Sequence, residues 1–304
     1  MCCRIKMFSS FCSSNHCKRS IEELIISQST TCYGNTSNNS VYIVDENDEN
    51  YTHIVIWNTA MPIIPDRIPK KNVIGFSLEP LVYLNITDKF VEYARRHIQK
   101  YYIGDTCGLG LPFIEGNCFL TYAPPLFMNT TMLFKTACMS IVLSNKNQLS
   151  GHQYRRNLVE YILYHKLPID IYGNGCIKHR YKDYKSQYIK GPFQRYEPYN
   201  NYLFSICIEN TRSNHYFSEK IINPLLTNTT PIYLGCNNID NYFSNNIIHL
   251  TGNITADMNL LTDILRFPCK YYKKIDPIEI ERKVSFVQNI NNVYNEDDKQ
   301  VYVS

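Results

Sequence analysis

No stretch of the chain approaches the ~20 consecutive apolar residues that a membrane helix requires, although 44% of its 304 residues are hydrophobic. The apolar residues are dispersed among polar ones, as in a protein that buries cores. The first twenty residues, MCCRIKMFSSFCSSNHCKRS, contain no apolar block of signal-peptide type. Neither an export signal nor an anchor is expected, and a cytoplasmic location follows as the expectation. Glycine is scarce, with 12 residues, and no Gly-x-Gly-x-x-Gly or Walker loop is present. No Ser-His-Asp arrangement stands out either, so dehydrogenase, ATPase and hydrolase readings lack support. Net charge is only +4. That tolerates an anionic small molecule but gives no nucleic-acid footprint. Cysteine is plentiful at 12, yet zinc spacings are missing, and free thiols are expected where export signals are lacking.

What is present is an alternation of strand and helix signals in two series. The first contains strand patterns at Arg4–Phe8, His53–Trp57 and Asn72–Phe76 and an amphipathic helix at Asp88–Tyr101. The second contains strands at Ser140–Ser144, Ile169–Gly173, from Tyr202, and Asn246–Leu250. Its helices are read at Tyr154–His165, Asp183–Tyr188 and Ala256–Phe267. Such alternation argues for two α/β domains, placed at 1–136 and 137–267. A C-terminal helical segment with a polar tail, 268–304, could pack back on the first.

The densest signal is SICIENTRSNHYFSEKIINPLLTNTTPIYLG, Ser205 to Gly235. It reads as strand, polar loop, helix, strand. Glu209, Asn210, Arg212, Tyr216, Glu219 and Lys220 lie between two apolar strands, too many polar groups to bury without partners. Ser218 is a good N-cap, which puts Glu219 and Lys220 in the first turn, where free N–H groups and the dipole suit a phosphate. Pro224 is expected to kink or loosen the second turn. Read without function, the same residues are a capped surface helix with an incidental Glu-Lys pair.

This stretch resembles the signature of the α1,3-fucosyltransferases, glycosyltransferase family 10. The matching pieces are Glu209-Asn210-Thr211, Tyr216, Ser218-Glu219-Lys220 and Pro231-Ile232-Tyr233-Leu234-Gly235. Ser144-Asn145, Arg156 and Asp170-Ile171-Tyr172-Gly173 resemble further family positions, and the likeness fades before Asn72. The resemblance implies a GT-B fold, with two Rossmann-like domains facing a cleft, and transfer of fucose from GDP-fucose to a glycan hydroxyl, in acceptors that could contain GlcNAc. It implies that Arg156 and Lys220 bind the diphosphate, Arg155 being an immediate competitor for Arg156. Asn210, Tyr216, Glu219, Ser144 and Asn145 would complete the donor site. Glu209 could be turned away in a salt bridge. The inverting base would be Glu79, in Ser77-Leu78-Glu79-Pro80; its plain alternative is a surface turn glutamate. Phe76 stands where a relative has tyrosine. No obligatory metal is expected, because the one acidic run, Asp45-Glu46-Asn47-Asp48, has no strand leading into it. Two rival readings stay open: a different GDP-sugar, and a non-catalytic binding protein on the same fold.

Overall fold

The computed structural model describes residues 3–30, 41–116, 135–177 and 187–295. They fall into two units, drawn from Met1–Leu126, Ser213–Tyr216 and Arg282–Ser304 for the first and from Phe127–Arg212 and Phe217–Glu281 for the second. Each is a helix-covered parallel sheet.

The first unit begins with β1 (Cys3–Ser9), α1 (Ser14–Thr30), β2 (Val41–Ile43), β3 (His53–Trp57) and β4 (Val73–Phe76). It continues with α2 (Leu81–Leu84), α3 (Asp88–His97), β5 (Lys100–Ile103) and β6 (Phe113–Glu115). The strand order is β2-β1-β3-β4-β5-β6 and every pairing is parallel. The central strands β3, β4 and β5 are buried throughout, which explains why, apart from Lys100 at the start of β5, they are apolar or aromatic almost without a break. One expectation is corrected here. The helix expected over Asp88–Tyr101 stops at His97, because Ile98 turns extended and Lys100–Ile103 form β5, which pairs with β4. Between β1 and β2, α1 is anchored by buried Cys17 and Ile21.

The second unit contains β7 (Ala137–Val142), α4 (Ser150–Tyr164), β8 (Asp170–Tyr172), β9 (Ile189–Gly191), α5 (Glu197–Asn200) and β10 (Tyr202–Ile208). After these come α6 (Glu219–Leu226), β11 (Thr230–Leu234), α7 (Asp240–Phe243), β12 (Ile248–His249), α8 (Ile254–Arg266) and α9 (Pro268–Tyr271). The order β12-β11-β10-β7-β8-β9 is again wholly parallel. Counted from β7 this is the dinucleotide-fold order 3-2-1-4-5-6, whose direction reverses between β7 and β10. Its core packs Ile141, Leu143, Ile206 and Ile208 of the sheet against Leu158, Ile162, Leu261 and Ile264 of α4 and α8. The helix expected at Asp183–Tyr188 falls largely outside the described residues.

The chain then runs through α10 (Pro277–Val284) into α11 (Phe286–Asn295), so helix continues past Asn289, where a polar tail is expected. Phe286, fully buried, packs on Trp57 and Phe76 of the first unit at ring-centroid distances of 5.2 and 5.9 Å. Tyr294 donates to the carbonyl of Ile54 at 3.0 Å. Phe76 is itself fully buried and stacks on Tyr102 at 5.4 Å. Among the described residues no helix is long and apolar enough to cross a membrane.

Candidate functional site

Ligands of open α/β sheets bind beyond the carboxyl ends of the strands where strand order reverses. In the second unit that point lies between β7 and β10, and a cavity of ≈ 330 Å³ sits there, at the lower end of the range for small-molecule sites. Its lining includes Ser144 after β7, Ile206–Ile208 of β10, Asn210, Arg155 of α4, and Glu219 and Lys220 of α6.

The polar loop after β10 is organised by one carboxylate. Glu209 has no exposed side-chain surface. Its Oε1 accepts from the Ser218 amide at 2.9 Å and its Oε2 from the Ser218 hydroxyl at 2.8 Å. Lys220 Nζ lies 3.4 Å from the same carboxylate and donates to Ser218 Oγ at 2.9 Å and to Glu219 Oε1 at 3.1 Å. Glu209 is thus held in a salt bridge outside the cavity lining. A buried carboxylate is tolerable only when paired and fully hydrogen-bonded; here it receives an ammonium, an amide and a hydroxyl. Ser218 caps α6 as the sequence pattern predicts, accepting from the Lys220 amide at 3.4 Å.

Burial works against the charge on Lys220, but Glu209 and then Glu219 outweigh it and hold the ammonium above its ordinary range. Desolvation likewise pushes Glu219 up; the Lys220 charge and hydrogen bonds from Lys220, its own amide and Ser218 overcome it, and the carboxyl stays below its usual value. Both groups are therefore ionised at neutral pH. Pro224 lies inside α6 and is buried, yet the helix continues to Leu226. The expected loosening is not a break: little more than half a turn follows, and the Pro224 carbonyl accepts from Thr227 and Thr229 at 3.0 and 2.9 Å.

The two adjacent arginines are treated differently. Arg155 is 4% exposed, lines the cavity and donates through Nη2 to the Ile208 carbonyl at the end of β10. Arg156 is not in the lining; it donates to the carbonyls of Asn145 at 2.8 Å and Lys146 at 3.3 Å, on the loop beyond β7. Asn145 is exposed and outside the lining, whereas Ser144 and Lys146 are in it. Gly151 lets α4 approach this closely, since a Cβ there would lie 1.9 Å from the Glu209 carbonyl oxygen. His152 is buried in the same turn and its Nδ1 accepts from the Leu149 amide at 3.2 Å. Burial, then the charge of Arg155, pulls its pKa down, so it is neutral at pH 7.

Ser144, Asn210, Glu219 and Lys220 are therefore brought together on one cavity, with Arg155 added. Tyr216 belongs to the first unit, where it is buried and its hydroxyl donates to Glu79 Oε2 at 3.5 Å. Glu79 is half-buried just beyond β4, and Pro80 after it is extended. Arg212 is exposed. Among the described residues no group of three or more His, Cys, Asp or Glu could hold a metal ion.

Comparison with known proteins locates this architecture. Residues 132–255, which contain the cavity and the Glu209–Lys220 assembly, match the family described as glycosyltransferase family 10 (fucosyltransferase), C-terminal part. Three crystal structures of α1,3-fucosyltransferase share the fold over nearly the whole chain. One holds GDP, with TM-score 0.53 and 12% identity over 97% of this chain and 91% of that one. One holds GDP-fucose, with TM-score 0.54 and 12% identity over 100% and 93%. The third has TM-score 0.53 and 13% identity over 97% and 91%.

Proposed function

We propose that the protein is an inverting fucosyltransferase, a reading supported by the match of residues 132–255 to the model of glycosyltransferase family 10. It takes GDP-fucose as donor and a hydroxyl of a glycan, GlcNAc-containing by the family's habit, as acceptor. The observation that carries this reading is the ionised Lys220, set on the capped first turn of α6 and opening on the cavity at the strand-order reversal.

Three demands follow from the chemistry. As the bond from the anomeric carbon to the β-phosphate oxygen breaks, its electron pair leaves on GDP, and that charge needs neutralising. Lys220 and Arg155 supply positive charge already in place, which is often the largest catalytic contribution. The sugar and ribose hydroxyls need fixed partners, and Asn210, Ser144 and Glu219 offer both donors and acceptors. The acceptor oxygen, attacking from the face opposite the phosphate, must lose its proton to a base. Glu79 is that base in this reading, and Tyr216 steadies its carboxylate.

Thermal melting with a panel of sugar nucleotides tests the donor. Binding to the native state raises stability by mass action, about 2.7 kcal/mol at a hundred times Kd. GDP and GDP-fucose are expected to raise Tm well beyond UDP-galactose; equal shifts would remove the guanine-nucleotide assignment, and a larger shift with another GDP-sugar would change the donor. Glu79→Gln is expected to keep the GDP shift while transfer falls by about 10²–10⁴-fold, the usual contribution of a base. Tight GDP binding without transfer by the wild type across a broad acceptor panel would make the protein a non-catalytic binder.

A further inference from the structure

Asn58 is the residue at which the first unit concentrates unusual features. It follows β3 directly, is fully buried, and has a left-handed backbone with φ 56°. Non-glycine residues adopt that region rarely, asparagine less reluctantly than most. Its side-chain nitrogen Nδ2 is buried and makes no hydrogen bond. Each feature is unfavourable by itself, and a glycine would avoid both.

Three contacts weigh on the other side. The Asn58 amide donates to the Phe76 carbonyl at the end of β4, 2.8 Å. Its carbonyl accepts from the Tyr101 hydroxyl of β5, 2.7 Å. Its Oδ1 accepts from the amide of Leu78, 2.9 Å. Tyr101 can reach this point only because β4 carries Gly75: a Cβ there would lie 2.2 Å from the tyrosine ring. Leu78 immediately precedes Glu79, and the same segment is held on either side. The Ser77 amide donates to the Tyr102 carbonyl at 2.9 Å, and the Ser77 hydroxyl donates to the carbonyl of Glu79. Of the ties on the backbone of Ser77 and Leu78, the one to Leu78 is made by a side chain brought in from the end of another strand.

We infer that Asn58 is a positioning residue for Glu79: its side-chain oxygen fixes the Leu78 amide, and so aims the carboxylate that follows. The inference rests on the proposed role of Glu79, and it can be tested apart from that role. Hydrogen exchange at the Leu78 amide reports the tie directly. In Asn58→Gly, which suits the left-handed backbone and removes the accepting oxygen, Leu78 is expected to lose protection while amides of β10 and β11 keep theirs. Transfer is expected to show kcat lowered by about tenfold or more, as small misplacements of a reacting group do, with the donor KM and the GDP-induced Tm shift unchanged. Asn58→Asp, which keeps the accepting oxygen, is expected to retain Leu78 protection and recover most of kcat. Should Asn58→Gly fail to fold, Tyr101→Phe, which frees the Asn58 carbonyl but keeps the ring, is expected to show the same pattern more weakly.

Unaltered Leu78 exchange, or lost protection with normal kcat, overturns the inference. So does a fall in the GDP shift that parallels kcat, which would mean a general structural role. A wild type that transfers nothing would instead overturn the role of Glu79, while Leu78 exchange would still decide whether Asn58 holds the segment.

Discussion

At the N-terminus of α6 a single carboxylate, Glu209, receives the Ser218 amide, the Ser218 hydroxyl and the Lys220 ammonium. The lysine is thereby aimed before any ligand arrives, and little ordering remains to be done on binding. Of the two adjacent arginines, the cavity is lined by Arg155 and not by Arg156, the one that the family resemblance implies. Leu158, Val159 and Ile162 are fully buried on α4, and Arg155 lies at helical spacing before all three, so it falls on the buried stripe. Tyr161, on another side of the helix, is 46% exposed. Arg155→Met is accordingly expected to weaken GDP binding by about 10- to 150-fold, the worth of a charge-assisted contact of about 1.5–3 kcal/mol. Arg156→Met, which only frees the loop carbonyls of Asn145 and Lys146, is expected to cost less than about threefold, as surface contacts do. Calorimetric titration with GDP checks both, and the reverse order would return the phosphate contact to Arg156.

At the scale of elements, the capped helix α6 was legible because its signals are local: a serine cap, two charged residues, then Ile221, Ile222, Leu225 and Leu226 at helical spacing, all buried. Strand β5 was not legible, because Lys100-Tyr101-Tyr102-Ile103 continues the preceding helical pattern and becomes a strand only by pairing with β4. What secures the far end of α6 was equally invisible. Lys135, just before β7, donates to the carbonyls of Thr227 at 2.7 Å and Asn200 at 3.0 Å and to the Thr229 hydroxyl at 2.8 Å. It joins the carboxyl end of α6, where the helix dipole favours a cation, to the end of α5. Burial pulls its pKa down to about 7, below the ordinary lysine value near 10.4. Below about pH 7 the lysine is protonated folded and unfolded alike, and the burial cost is fully felt. Between that point and the unfolded value the unfolded chain holds the extra proton, so stability rises with pH. Relative to Lys135→Met, the wild type is expected to gain Tm between pH 6 and pH 9; a flat difference would show that its oxygen partners keep the ammonium charged throughout.

For the molecule as a whole, two parallel sheets were readable from strand and helix alternation, because fully buried strands are apolar along their whole length. Strand order was not, since it depends on pairings between distant segments. The sheet order matters to the chemistry: it places Ser144 and Asn210 at one reversal point, where positive charge from Lys220 and Arg155 already faces the cavity. With that charge built into the protein, transfer is expected to persist in excess EDTA. A loss restored by Mn²⁺ or Mg²⁺ would show that the diphosphate needs a cation as well.

The first unit takes residues from three stretches of chain, the last beginning at Arg282. Domains generally fold in the order in which they leave the ribosome, but this one cannot close in that order. Trp57 and Phe76 emerge early and receive Phe286 only after all of the second unit has been made. During synthesis the amino-terminal half therefore waits with an open aromatic cluster, and a premature stop before Phe286 would strand it there, as a client for chaperones and proteases.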